Sequence, residues 1–295
     1  MIGAILLAAA TVLPVAADGP YGTWGAPTAV AEVNTAAHDG CPIESPNGKQ
    51  LYIASTRTGG FGKNDIWVAE RQNKKALFRP MQNLGSAINS ADQEFCPTPL
   101  GGGWLLFVSD RTACGATPGM TPPVGDIYIT RQRHDGTWDA PQNLGCVADG
   151  SGPNFTGGEF GPSLRTIGGV TYLYFSSTGT TGNHDIYRSR RNDNGTFGPP
   201  QPVAELNTLA VDQMPNVSAD GSEIVFASSR NGNMDIFTAT FNSSTGLWST
   251  PVPVTAVNTA EPESRPSLSA DGKRLYFGRG VTADIYVSTR RKLDD

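Results

Sequence analysis

Five acidic residues, Asp39, Glu94, Glu159, Asp212 and Glu263, each stand three positions before a proline. Carboxylates gathered in this number could hold calcium or another divalent cation, bind a polyol or cationic ligand, or divide into the acid and base of glycoside hydrolysis. For that last reaction, two carboxyl groups about 5 to 10 Å apart suffice. Crowded like charges raise some of the pKa values unless a cation or hydrogen-bond donors compensate. The competing reading is local: each carboxylate accepts backbone N–H bonds from its own chain reversal, in a turn repeated because the segment was duplicated. Identical placement in every copy suits structure better than catalysis.

Two histidines adjoin acidic positions, His38 beside Asp39 and His184 beside Asp185, and both join the five acids as candidate ligand-binding residues. If the chain is an enzyme, Glu94, Glu159 and Glu263 are its candidate catalytic carboxylates, with His184 to orient one of them. His38 and Glu94, with Cys41 and Cys96, have ligand types suited to zinc or copper. Their spacing matches no metal signature and competes with a disulfide between the two cysteines. His134 precedes Asp135-Gly136 in a hairpin turn and is expected in solvent. Arg57, Arg111 and Arg230 face Asp65, Asp126 and Asp235 across a loop, where a bidentate pair is expected to pin the hairpin. No G-x-S-x-G elbow, S-x-x-K, H-E-x-x-H or phosphate loop occurs, which weighs against an enzyme.

These residues recur because the chain repeats. Around the fourth acid the unit reads DQMPNVSADGSEIVFASSRNGNMDIF, Asp212 to Phe237: a short strand, an Asp-Gly turn, an apolar strand ending in Ser, an Arg, a glycine-bearing loop and Asp-Ile-aromatic. The Asp-Ile pairs begin at Asp65, Asp126, Asp185, Asp235 and Asp284, in steps of 61, 59, 50 and 49 residues, so the first two steps carry loop insertions. An aromatic, a proline, an apolar patch and in most copies a closing Asn follow each unit but the last, and one more such segment, Tyr21 to Asn34, precedes the first. The start therefore supplies what the end lacks. An open stack would leave unpaired strand edges, whereas a ring closed by its first strand leaves none at the join.

Each unit supplies four strands, in the fourth Pro215 to Ser218, Glu223 to Ser228, Asp235 to Thr240 and Trp248 to Val254. Hairpin turns are expected at Asn47-Gly48, Asp220-Gly221 and Asp271-Gly272. The expected fold is all-β: a five-bladed β-propeller of four-stranded antiparallel blades, the N-terminal strand closing the last blade. In such a ring the five acids lie at the mouth of the central channel.

The segments STRTGGFGKNDIW, SADGSEIVFASSRNGNMDIF and SADGKRLYFGRG resemble the WD40-like propeller repeat PD40, found in TolB, the periplasmic component of the Tol-Pal system, and in secreted or OmpA-linked bacterial proteins. The resemblance covers Ala36 to Arg291. It departs in the third unit, LRTIGGVTYLYFSSTGTTGNHDIY, which lacks the Asp-Gly turn and the Arg, and in the fifth, where a shortened loop displaces Arg279. It implies a recognition scaffold that presents its channel-mouth face to a protein, peptide or glycan. Other five-bladed propellers, similar in architecture alone, are glycosidases, and glycoside hydrolysis by central carboxylates is the alternative.

A net charge of −5 without a basic stripe speaks against nucleic acid as a partner. The apolar run Ile2 to Ala16 ends in small residues before Asp18, so residues 1–17 are expected to be a secretory signal peptide and 18–295 one propeller domain. No later run could span a bilayer as a helix. The protein is then expected as a periplasmic or secreted monomer with no cofactor other than a channel cation. In that compartment its four cysteines are expected in disulfides. Cys41 and Cys96 share a repeat position, while Cys114 and Cys146 lie in the two insertions, which suggests Cys41–Cys96 and Cys114–Cys146.

Overall fold

Strands such as Gln50–Ser55 and Glu223–Ser228, QLYIAS and EIVFAS, are apolar and buried along almost their whole length, so each must lie between other layers. A computed structural model of the protein, which describes residues 21–111, 114, 125–179 and 183–293, places them inside five sheets. The expected signal peptide lies outside the described residues. The sheets form the five antiparallel blades of a β-propeller, as the repeats predict.

Every inner strand begins at one of the acids: Asp39–Glu44, Glu94–Pro99, Glu159–Ile167, Asp212–Val217 and Glu263–Leu268. Second strands are Gln50–Ser55, Trp104–Ser109, Val170–Ser177, Glu223–Ser228 and Arg274–Arg279. The third strands all open on the Asp-Ile pairs. Outer strands are only two residues long, and the outer edge of the fourth blade is divided between Leu247–Trp248 and Val252–Pro253 instead of running unbroken. The fourth inner strand starts at Asp212, three residues before the expected Pro215, because the proline follows a bulge. Its register shifts between Gln213 and Asn216, and Met214 takes a φ of 56°. A bulge accommodates a residue without an N–H where a regular ladder would lose a bond.

Thr28 and Ala29 pair with Val287 and Tyr286, so the N-terminal strand completes the fifth blade. Arg290 stacks over Tyr21 and Trp24 at 4.1 and 4.2 Å and covers that join. The apolar layer between the first and fifth blades contains Leu51, Ile53, Tyr276 and Ile285. Gly48, Gly221 and Gly272 adopt φ values of 71°, 74° and 67° in the expected hairpin turns. Where the third unit lacks Asp-Gly, Gly168 and Gly169 make the turn with φ of 57° and 81°. Among the described residues no helix is long and apolar enough to cross a membrane.

One side chain locks each outer segment to its blade. Asn34, Asn89, Asn154, Asn207 and Asn258 each exchange two hydrogen bonds with the backbone of an Asp-Ile isoleucine: Ile285, Ile66, Ile127, Ile186 and Ile236 respectively. Asn154 is fully buried, so Asn154→Ala strands the Ile127 N–H away from water. We expect a loss of about 2 kcal/mol in urea unfolding. A loss below about 0.5 kcal/mol would show that water replaces the clasp.

Cys114 and Cys146 form a disulfide with their Cα atoms 5.3 Å apart, as expected. The other pairing is corrected: Cys41 and Cys96 are free, buried thiols. Each side chain enters the channel from a left-handed residue, and the sulfurs meet as hydrogen-bonding neighbours.

Candidate functional site

The acids join neighbouring blades through their backbones before their side chains do anything. The N–H groups of Asp39, Glu94, Glu159, Asp212 and Glu263 donate to the carbonyls of Thr282, Asn64, Gly125, His184 and Met234, at 2.7 to 3.0 Å. This fixes all five carboxylates at one end of the channel, fully buried. Asp39 Oδ2 accepts from the N–H and hydroxyl of Thr35 (2.7 and 2.8 Å), while its Oδ1 takes Ser55 Oγ and Arg57 Nη2 (2.5 and 2.6 Å). Glu94 is held in the same way by Ser90, Ser109 and Arg111. Asp212 is held by Thr208 and Arg230, and Glu263 by Thr259 and Arg279.

Two sequence expectations change at the hub. Arg57, Arg111 and Arg230 do not pin the loop to Asp65, Asp126 and Asp235. They reach the hub acids, at 2.6, 3.0 and 2.6 Å, and also donate to the carbonyls of Val33, Ile88 and Leu206. Asp65 and Asp126 instead accept backbone N–H groups and the amides of Asn83 and Asn143. The cause is local: Ser55, Ser109 and Ser228 each accept both the N–H and Nε of the arginine two residues on and aim it inward. Arg279, displaced in sequence, nonetheless reaches Glu263 at 2.9 Å and the carbonyl of Val257. Four of the five acids are thus ion-paired turn anchors.

Glu159 is the exception. Phe155 stands where the other blades carry Ser or Thr, and Gly179 where three of them carry Arg, so two donors are gone. Aromatic packing fills the space, with Phe155 5.0 Å from Tyr187 and 6.5 Å from Phe175 between ring centres. Oε1 accepts Phe155 N–H and Ser177 Oγ, but Oε2 is buried with no hydrogen-bond partner among the described residues. Burial, then the charge of Asp126, pushes the Glu159 carboxyl well above the usual carboxylate range. His184 packs edge-on to Phe160 at 4.7 Å, its Nδ1 unbonded, and burial lowers it to about 4. At the mouth, burial therefore favours the protonated form of the Glu159 carboxyl and the neutral form of the His184 imidazole.

Two residues below the acids the channel narrows. Cys41, Cys96, Gly161, Met214 and Arg265 form a ring of left-handed residues, with φ from 47° to 60°, each followed by a proline. At Gly161 a side chain is excluded, since its Cβ would lie 2.6 Å from the Met214 backbone. The ring, its prolines and the residues after them line a narrow cavity of about 30 Å³ that opens to solvent. Burial raises the Cys41 thiol, but the hydrogen bond with Cys96 and the Arg265 charge outweigh it and bring the group to about 7. Cys96 is pushed well up by burial. His38, with Nδ1 unbonded, is lowered by burial and by Arg265. The metal set of His38, Cys41, Cys96 and Glu94 is not assembled, because both Glu94 oxygens are already bonded. Among the described residues no group of three or more His, Cys, Asp or Glu could hold a metal.

No protein-family model and no curated protein matches the chain. Solved structures do. An alpha-L-arabinofuranosidase from Lactobacillus brevis is similar with a TM-score of 0.59 at 11% identity, over 89% of this chain and 94% of that one. The catalytic domain of a Coprinopsis cinerea GH62 alpha-L-arabinofuranosidase gives 0.60 at 12%, over 92% and 98%. A putative TolB from Agrobacterium tumefaciens gives 0.50 at 16%, over 88% and 79%. At these identities the likeness is one of fold.

Proposed function

We propose that this chain is a secreted or periplasmic propeller that binds a glycan on the face around its channel mouth. The observation that carries binding over catalysis is the state of the carboxylates: Asp39, Glu94, Asp212 and Glu263 are each buried against an arginine, so among the five hub acids Glu159 alone has no ion pair, and its carboxylate neighbour Asp126 is held by the Cys114 N–H and the Asn143 amide. Loops at the same end expose Phe61, Leu209 and Val281, at 54%, 99% and 90%, as apolar contacts for a sugar face. The glycan class draws its support from the arabinofuranosidase neighbours, and the PD40 segments support a tie to envelope recognition proteins. The disulfide suits an oxidising compartment.

The comparisons favour glycoside hydrolysis over a TolB-like role, and Glu159 gives that second reading its one specific residue. A carboxyl whose protonated form is favoured by burial suits a general acid. A panel of arabino- and xylo-oligosaccharides separates the two. Binding by calorimetry without sugar release is the expected result. Release that Glu159→Gln abolishes would establish hydrolysis, and neither binding nor release would sink the glycan class altogether.

A further inference from the structure

Around the waist the polar side chains are already engaged with neighbouring inner strands. Thr98 and Ser267 donate to the carbonyls of Pro162 and Pro42, both at 2.6 Å, and Asn216 accepts the Leu268 N–H at 2.9 Å. Arg265 is different. It makes no hydrogen bond or ion pair with any described residue, whereas each mouth arginine has its carboxylate. Its guanidinium lies against Gly40, where a Cβ would come within 2.2 Å of Nη1. The other blades carry Phe95, Phe160, Gln213 and Ser264 at that position, so the glycine of the first blade makes room for the arginine of the fifth. Arg265 is half-buried, and its one countercharge at hand is the Cys41 thiol when ionised; with that thiol protonated the cation is unbalanced, and an anion from solution relieves the cost.

We infer that Arg265 seats the carboxylate of a small monocarboxylate ligand, whose carbon chain lies along the ring of Pro42, Pro97, Pro162, Pro215 and Pro266. One guanidinium without a second cation balances one negative charge, and its planar fork matches a carboxylate. The proline and Met214 walls suit an apolar stem. A doubly charged phosphate or sulfate would leave charge unbalanced there. The seat lies below the mouth and does not depend on what the mouth binds.

Thermal unfolding with sodium acetate, butyrate, sulfate and chloride at matched ionic strength tests this. At about pH 6 the Cys41 thiol, titrating at about 7, is protonated and leaves Arg265 without a competing thiolate. Butyrate is expected to raise Tm saturably, by about 3 °C at ten times its dissociation constant, and acetate to need more. Sulfate and chloride are expected to act without saturation. Arg265→Met should abolish the saturable shift and still fold, since it removes an unpaired charge. Gly40→Ala keeps the charge but displaces it, and should abolish the shift as well. No saturable shift in the unaltered protein, an equal shift in both variants, or saturation by sulfate matching that by butyrate would each overturn the assignment.

Discussion

Glu44→Gln is expected to destabilise the protein by about 3 to 5 kcal/mol, a larger loss than removing any one of the hub carboxylates should cause. The carboxylate is 5% exposed at the far end of the first inner strand. It accepts Arg71 Nη2 at 2.9 Å, Arg274 Nε and Nη2 at 2.9 and 3.0 Å, and Tyr276 Oη at 2.9 Å. Arg71 belongs to the first blade, while Arg274 and Tyr276 belong to the fifth, so one side chain clasps the join where the ring closes. The amide keeps the volume and removes the charge, which leaves two guanidinium groups facing each other. Both retain one other partner, Arg71 the Gly48 carbonyl and Arg274 the Asp271 carboxylate, which argues for the lower half of that range. A fall in Tm of about 10 °C follows at 2 to 4 °C per kcal/mol. Glu70→Gln, in an exposed contact with Gln50, is the control and should change Tm by less than about 1 °C. Equal effects of the two substitutions would mean that apolar packing alone holds the first and fifth blades together.

The contrast between Glu44 and the hub acids shows which features can be read along a chain. The acid-to-proline spacing and the Asp-Ile pairs are local and occur five times in register, with Asn-Gly or Asp-Gly turns in three of the copies, so they announce five blades and the closing strand. Asn154 is hidden in the sequence because the insertion from Cys146 to Pro153 separates it from its outer segment, where its four counterparts stand in sequence with theirs. The arginine partners are hard to read for a different reason. Arg57 is nearer to Asp65 than to Asp39 along the chain, but the pairing of Asp39 with Ser55 brings the hub acid alongside, and Ser55 turns the guanidinium toward it. Glu44 with Arg274, and Arg265 with Gly40, carry no signal of any kind in sequence. Their partners are over 200 residues apart and meet only when the ring closes.

Glu94→Gln and Glu159→Gln change the same repeat position, yet they are expected to move stability in opposite directions at neutral pH. Glu94 accepts four hydrogen bonds, one from Arg111, whose side chain is 25% exposed. Removing its charge leaves that guanidinium partly hydrated, so a loss of about 2 to 3 kcal/mol is expected. Glu159 has no arginine to lose, and burial holds its carboxyl above the usual range. Below the unfolded value of about 4.3 both states carry the proton and folding is unaffected by pH through this group. As pH rises through that value toward the folded one, the unfolded chain releases the proton while the native protein keeps it, so stability falls. Glutamine mimics the protonated acid and removes that fall, so the variant should gain stability over the unaltered protein as pH goes from about 4 to 7. His184 works on the other side: lowered to about 4 in the native state, it costs stability as pH drops below about 6.5, equally in both proteins. Subtracting the two Tm profiles therefore isolates Glu159. A difference curve that is flat, or a Glu159→Gln loss matching that of Glu94→Gln, would place the third acid among the ion-paired anchors and remove the neutral carboxyl from the mouth.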